Sequence, residues 1–193
     1  MKPDSPKNRL LDTAKDLFKQ RGFPSVGINE ITDKADVARM TLYNNFESKE
    51  ALAVAAFQKL SQQRKEQIAE ALDGALEARA KVLALFDLAE VFASEETFCG
   101  CAFINLAAQV VQPSSELHNL VAEHKNWFKK NLENSLNDIR QSHRKRVALQ
   151  LLVLWDGALV EAFIQRSLEP IHAASFAGTL IITFALEETE IGN

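Results

Sequence analysis

The segment from Asp33 to Lys49 holds the side chains best suited to chemistry in this chain. Hydroxyl and amide groups lie close together in it, beside two cationic groups. They are Thr41, Tyr43, Asn44 and Asn45, flanked by Arg39 and Lys49. Such groups are suited to hydrogen bonds with phosphates and with the edges of nucleic-acid bases.

Two short helices must present these groups. The sequence predicts a helix over 28–35, a tight turn over 36–38 and a second helix over 39–46. Leu42 and Phe46 are four residues apart and would share the buried face of the second helix, which leaves the polar groups exposed. This order of elements indicates a helix-turn-helix with a recognition helix.

The ordered string RLLDTAKDLFKQRGF…INEITDKADVARMTLYNNFESKEAL resembles the N-terminal DNA-binding domain of the TetR family of bacterial transcriptional regulators, over about residues 9–52. Its most specific part is Thr41-Leu42-Tyr43 followed by Phe46, Ser48-Lys49-Glu50 and Leu52.

The chain departs from the family pattern at two positions. Val26-Gly27 stands where a Thr or Ser usually opens the second helix, and Ala38 stands where a Ser often precedes the recognition helix. Each change removes a hydroxyl that can cap a helix or contact a phosphate. We expect the departures to affect operator binding more than the fold.

The resemblance implies DNA contacts at eight positions. Arg39 and Lys49 would neutralise phosphates. Asn44 and Asn45 would present an amide pair to adenine. Tyr43 would donate a hydrogen bond to a phosphate, and Met40 would contact a thymine methyl group. The full set is Ala38, Arg39, Met40, Thr41, Tyr43, Asn44, Asn45 and Lys49.

Composition indicates a globular, helical chain. Hydrophobic residues make up 47% of the 193 residues, with seven Gly and five Pro. The net charge of −4 argues against a general nucleic-acid coat protein. Residues 1–50 hold nine Lys/Arg and eight Asp/Glu, so a slightly basic segment precedes an acidic remainder. This charge distribution supports DNA binding only together with the helix-turn-helix motif.

The predicted fold is all-α, with an N-terminal three-helix helix-turn-helix domain and a larger helical ligand-binding and dimerisation domain. Ser5 would cap the first helix and Ser114 the seventh. The division falls in the fourth helix, which gives domains 1–50 and 51–193. The predicted helices cover 6–21, 28–35, 39–46, 48–72, 77–94, 102–111, 114–139, 143–167 and 170–188.

The last two helices are apolar on more than one face, so one face can pack within the chain and the other on a second subunit. The alternative is a buried central pair in a monomer. The resemblance favours a homodimer, because the family dimerises through its last two helices. The predicted interface is Leu154, Ala158, Gly178, Ile181 and Ile182.

Aromatic side chains are frequent in the acidic part. The resemblance implies a pocket there for a small effector, which large flat side chains and a few polar groups could line. The alternative is that most of them are core. The predicted lining is Phe103, Asn105, Trp127, Trp155 and Phe163.

Cys99-Gly100-Cys101 permits three interpretations, of which packing is favoured over redox sensing and metal binding. A metal would need further ligands, and His118 and His124 would lie on different helix faces. A disulfide between residues i and i+2 would be strained. We find no catalytic constellation, so the sequence predicts no enzyme, no cofactor and no metal site.

The N-terminus is polar and no long stretch lacks charge, so we expect neither signal peptide nor membrane span, and a cytoplasmic location. The function predicted is a TetR-type repressor that binds a pseudo-palindromic double-stranded operator and is released by an unknown small hydrophobic effector. The alternatives are a regulator switched by redox or by a protein partner, and a helical binding protein or enzyme whose helix-turn-helix is only structural.

Overall fold

The computed structural model describes residues 5–110, 112 and 114–191, and within them the chain is helical with no strand. The predicted all-α class is confirmed. The helices are α1 Pro6–Arg21, α2 Ile28–Ala35, α3 Arg39–Asn45, α4 Lys49–Asp73, α5 Ala78–Ala93, α6 Ala102–Gln109, α7 Glu116–Ser135, α8 Gln141–Gln165 and α9 Glu169–Ile191.

The chain divides into two compact units. The first comprises Met1–Gln63 and Ala102–Ala122, and the second comprises Arg64–Cys101 and Glu123–Asn193. The packing units therefore differ from a division at residue 50, because the first part of α4 and the whole of α6 pack with the N-terminal helices. A functional division into 1–50 and 51–193 stays a prediction.

Local signals fix the ends of α1. The Ser5 hydroxyl accepts the Asn8 N–H (3.2 Å) as an N-cap. At the other end Gly22 has a φ of 84°, and its N–H donates to the Phe18 carbonyl (3.0 Å). A left-handed residue at this position is most easily supplied by glycine. The helix buries one face, made of Leu10, Ala14, Leu17 and Phe18.

An ion pair ties α1 to α4 within the first unit. Lys59 Nζ lies 2.8 Å from the Asp12 carboxylate, and Lys15 Nζ lies 3.2 Å from it. Burial alone raises the pKa of Asp12, but the hydrogen bonds from Lys59 and Lys15 outweigh it and hold the pKa below its usual range.

In the second unit α8 and α9 pack on each other and on α5. Gly178 lies at a close contact between these helices, since a Cβ at this position would lie 2.9 Å from Val82 and 3.2 Å from both Leu151 and Phe86. The side chain of Trp155 is 3% exposed at the centre of this packing.

The seventh helix differs from its prediction at both ends. Ser115, not Ser114, accepts the His118 N–H (3.2 Å), so the cap was predicted one residue too early. The helix ends at Ser135 and not near Ile139, because the Ser135 carbonyl accepts the Lys81 ammonium (2.6 Å) and a turn follows. The predicted end of the sixth helix, at residue 111, lies outside the described residues.

Two helices, α8 and α9, are long and apolar enough to cross a membrane by length and composition, since an 18-residue window within each has a mean hydropathy of 1.8 and 1.3, respectively. Core helices of soluble domains meet the same criterion, and each of these two buries part of its surface inside the second unit. The absence of membrane contact stays a prediction.

Candidate nucleic-acid interface

The turn between α2 and α3 is held by backbone geometry and by one arginine. Asp36 caps α2 in the left-handed region (φ 53°), which Asp tolerates better than most side chains. Arg9 of α1 donates to the Ala35 carbonyl (3.0 Å) and to the Asp36 carbonyl (2.9 Å). Arg9 therefore ties α1 to the C-terminal end of α2 and to the turn that precedes α3.

The orientation of α3 is fixed by its apolar face. Leu42 has no exposed surface and Phe46 is 7% exposed, so the predicted inward direction of both is confirmed. The opposite side of α3 is open, since Met40 is 70% exposed and Tyr43 is 43% exposed, and Asn44 is also exposed. The helix presents a polar surface on a rigid support.

Several groups on this surface already interact with one another. The Arg39 guanidinium donates to the Tyr43 hydroxyl (3.5 Å) and lies 5.6 Å from the centre of its ring. The Asn45 amide donates to the Thr41 carbonyl within the helix (2.7 Å), which leaves its side-chain oxygen as an acceptor. Tyr43 and Arg39 thus form a preorganised pair of donors.

Lys49 is placed differently from the other predicted contacts. Its ammonium donates to the Pro24 carbonyl (3.4 Å) and lies 4.7 Å from the centre of the Phe23 ring. Burial lowers the pKa of Lys49. The side chain therefore holds the loop between α1 and α2 in this structure, and its role as a phosphate contact stays a prediction.

The two departures from the family pattern both lie at N-caps. Gly27 caps α2 and Ala38 caps α3, and neither supplies a side-chain hydrogen bond. The N–H groups at the start of both helices therefore donate no hydrogen bond to a cap side chain.

Two positioning residues were not predicted. Arg9 acts across 26 residues, and Gln109 of α6 accepts the Phe23 N–H (2.8 Å) across 86 residues. Arg9 opens the string that carries the family resemblance, but the partners of both residues lie far away in the sequence, so no local pattern indicated these contacts.

The predicted pocket residues are divided between the two units. Phe103 packs edge-on against Phe57 (6.2 Å) in the first unit, to which Asn105 also belongs. Trp155 packs against three phenyl rings in the core of the second unit, those of Phe128 (5.4 Å), Phe92 (5.9 Å) and Phe86 (6.4 Å). The half-buried Trp127 lies under Lys65, with the ammonium 5.5 Å from a ring centre, and Phe163 is 48% exposed.

The second unit also holds three polar groups that are buried or half-buried. Lys125 pairs with Asp156 and donates to the Cys101 sulfur (3.4 Å). Burial raises the pKa of Asp156, although Lys125 opposes the shift. His124 is 4% exposed, and burial together with nearby cations lowers its pKa to about 3.

Three of the residues predicted for the dimer interface lie inside the second unit. Ala158 is 4% exposed, Gly178 is buried, and Ile182 has no exposed surface, which leaves none of them available to a second subunit. Leu154 and Ile181 are half-buried. The outward faces of α8 and α9 instead carry Leu149, Val153, Phe163, Ile164, Phe176, Leu180 and Phe184.

Among the described residues, no three of the His, Cys, Asp and Glu side chains are grouped so that they could hold a metal ion. Cys99 and Cys101 are both buried, and neither forms a disulfide in this structure.

Comparisons with known proteins agree with this geometry. Residues 10–56 match the model of bacterial regulatory proteins of the tetR family. The HTH-type transcriptional repressor NemR of Escherichia coli K12 is 29% identical over 177 residues, covering 87% of this chain and 89% of NemR. The crystal structure of reduced E. coli NemR matches with a TM-score of 0.80 and 28% identity, over 92% of this chain and 97% of that one.

Two further solved structures share the fold. A TetR-family regulator from Streptomyces coelicolor has a TM-score of 0.82 and 27% identity, with 95% of each chain covered. The TetR-family regulator CifR, solved as a cysteine mutant with a 26-bp double-strand operator, has a TM-score of 0.78 and 23% identity, over 89% of this chain and 94% of CifR. Family motif, helix order and whole-chain fold coincide: residues 10–56 form a DNA-binding domain of the tetR family, and the whole chain has the fold of TetR-family transcriptional regulators.

Proposed function

We propose that this regulator is a repressor that binds a pseudo-palindromic operator as a homodimer, in the cytoplasm. The observation that carries the proposal is the exposed polar surface of α3, supported from below by buried Leu42 and Phe46. A rigid helix with an open row of donors and acceptors is what major-groove recognition requires.

The DNA contacts proposed are the eight residues predicted from the sequence, with Tyr43 and Arg39 as the central pair. Because Lys49 is engaged with Pro24 in this structure, its contact with a phosphate would require that bond to be exchanged. Two copies of α3 would reach one face of the duplex about 34–36 Å apart, one helical repeat.

The homodimer would form through the outward faces of α8 and α9. On α9 the apolar residues Phe176, Leu180 and Phe184 recur every four residues and are all more than half exposed. Contiguous exposed apolar surface of this kind marks association sites. A small effector bound in the second unit would lower operator affinity to the extent that it prefers another arrangement of the dimer.

Selection of DNA from a random pool by the full-length protein tests the proposal. We expect a palindromic consensus, with affinity that falls steeply as salt rises because phosphate contacts release counterions. Tyr43→Ala and Asn44→Ala should weaken binding to that consensus, and Gln20→Ala on the exposed side of α1 should not. An unenriched pool would mean that the helix-turn-helix is structural.

A second candidate is a thiol-switched regulator, favoured by the hydrogen bond from Lys125 to the Cys101 sulfur. A lysine beside a cysteine is one of the environments in which thiols become reactive. Oxidant-induced release of the operator that is lost in Cys101→Ser and retained in Cys99→Ser would establish it. Oxidant-induced release that stays at the wild-type level in both variants would exclude a thiol switch.

A further inference from the structure

A cavity of about 510 Å³ lies in the second unit, next to the C-terminal end of α8. Its volume is in the range of small-molecule sites, about 300–1,000 Å³. The end of α5, the loop that follows it and the segment from α8 to α9 form its walls. The lining residues are Ala93, Ser94, Phe98, Ala162, Phe163, Arg166, Ser167 and Leu168.

Two phenyl rings give the cavity an apolar surface. Phe98 and Phe163 meet edge to face, with ring centres 6.1 Å apart and planes at 82°. Phe163 belongs to the outward face of α8 and is 48% exposed in the single chain, so a ligand or a second copy that covers it removes apolar surface from water.

One charged residue, Arg166, lines the cavity. It is the C-cap of α8 in the left-handed region (φ 51°, ψ 43°), a conformation that favours glycine over a long side chain. Within the described part of the chain no carboxylate pairs with its guanidinium. Beside it, the Ser167 hydroxyl oxygen accepts the Glu169 N–H (3.1 Å), which leaves the hydroxyl hydrogen able to donate.

We infer that this cavity binds a small organic anion with an apolar body, which acts as the effector. A guanidinium matches a carboxylate through two parallel hydrogen bonds, and Ser167 supplies a third donor. The two phenyl rings receive the alkyl chain or aryl ring of the ligand. The inference rests on the proposed function, because only a ligand-controlled repressor has an effector.

The site is connected to the segment that precedes α6. Gly100 follows Phe98 by two residues and has a φ of 78°, and a Cβ on it would lie 3.5 Å from Phe163 Cβ. A ligand that displaces either ring would therefore also displace the turn that precedes α6. In the first unit, α6 holds the Phe23 N–H through Gln109.

Calorimetry with full-length protein tests the site, with 4-phenylbutyrate and decanoate as probes and 4-phenylbutanol as the uncharged control. We expect saturable binding of both acids, and binding about ten- to a hundredfold weaker for the alcohol and for the Arg166→Gln variant, since charge-assisted hydrogen bonds are lost. Arg79→Gln, at an exposed position of α5, should bind as the wild type does. Ala93→Leu should fill the cavity and weaken binding with the charge intact.

Arg166→Gly separates binding from folding. It relieves the left-handed conformation, so we expect a melting temperature at or above that of the wild type together with loss of acid binding. Equal acid binding by the wild type and the Arg166 variants would overturn the inference, as would an absence of saturable binding.

Operator release and sedimentation complete the test. Acids that bind through Arg166 and release the selected operator support the inference, whereas binding without release overturns the effector role. If Arg166→Gln or Ala93→Leu dissociates the dimer without ligand, a second copy covers the cavity and the inference fails. If no operator is selected from the DNA pool, the proposed function fails. Calorimetry still decides whether the cavity binds acids through Arg166.

Discussion

His124 is an ionisable side chain buried against cations. It is 4% exposed, and burial is the main reason that its pKa falls from 6.5 to about 3. Lys125 on α7 and Lys65 and Arg64 on α4 act in the same direction. The folded protein therefore keeps this imidazole uncharged at neutral pH.

This burial predicts acid sensitivity. Between pH 6.5 and about 3 the unfolded chain binds a proton at His124 that the folded chain does not, so the free energy of unfolding falls as the pH drops. The decline from this group approaches roughly 1.4 kcal/mol per pH unit. Asp156, whose pKa is raised by burial, contributes the opposite sign as it takes up a proton in the folded state.

Urea denaturation from pH 7 to pH 5 measures the effect. His124→Asn should show a shallower loss of stability than the wild type, whatever its stability at pH 7. Equal slopes in the wild type and in His124→Asn would show that His124 is not the titrating group.

A second prediction concerns Gly27, the N-cap of α2. Its backbone is extended (φ −89°, ψ 153°), no side chain caps the helix, and an added Cβ would meet nothing within 4 Å. Gly27→Ser should stabilise the protein by about 0.5–1 kcal/mol, through a cap hydrogen bond and a less flexible unfolded chain. The urea midpoint measures this.

The same substitution at Gly22 is the control. There φ is 84°, and a Cβ would lie 2.7 Å from the Gln109 side chain, so Gly22→Ser should destabilise. Stabilisation at both positions, or at neither, would contradict the assignment of the two backbone conformations.

At the scale of the elements, the sequence predicted the helices but not all of their faces. The inward direction of Leu42 and Phe46 in α3 followed from a single apolar stripe. In α8 and α9 both faces are apolar, and periodicity alone does not say which one packs inside the chain. Gly178 and Ile182 were therefore predicted at a subunit interface, whereas they pack inside the second unit.

The packing of α6 could not be predicted either, since it depends on contacts distant in sequence. Gln109 accepts the N–H of Phe23, and Phe103 packs on Phe57 of α4. We expect Gln109→Leu to destabilise the first unit by about 1–3 kcal/mol, because the partly buried Phe23 N–H loses its acceptor. Operator affinity should fall with it, since this loop also anchors Lys49.

Amide hydrogen exchange at Phe23 provides the direct measurement. Protection should decrease in Gln109→Leu and be restored in Gln109→Glu, which keeps an acceptor oxygen at the same place. Unchanged protection in Gln109→Leu would show that the hydrogen bond is not formed in solution.

At the scale of the whole molecule, the outward faces of α8 and α9 provide the test of the proposed dimer. Phe176 and Phe184 are 68% and 61% exposed, so neither is needed for the core of the second unit. The double variant Phe176→Glu/Phe184→Glu should remain folded and become monomeric, because a dimer would bury two unpaired charges from each copy. Val91→Glu, at a 60% exposed position on α5, should remain dimeric.

Sedimentation velocity and circular dichroism, followed by titration with the selected operator, distinguish the outcomes. We expect a folded monomer that binds a half-site weakly. Its affinity for the full palindrome should be lost, because a second helix-turn-helix no longer adds its contacts. Gly178→Glu gives the contrast. Its side chain would enter the space occupied by Val82, Leu151 and Phe86, so it should unfold the second unit and not merely separate two folded copies. If the double variant keeps the mass of a dimer and full operator affinity, subunits associate through another surface, and these exposed aromatic residues serve a different purpose.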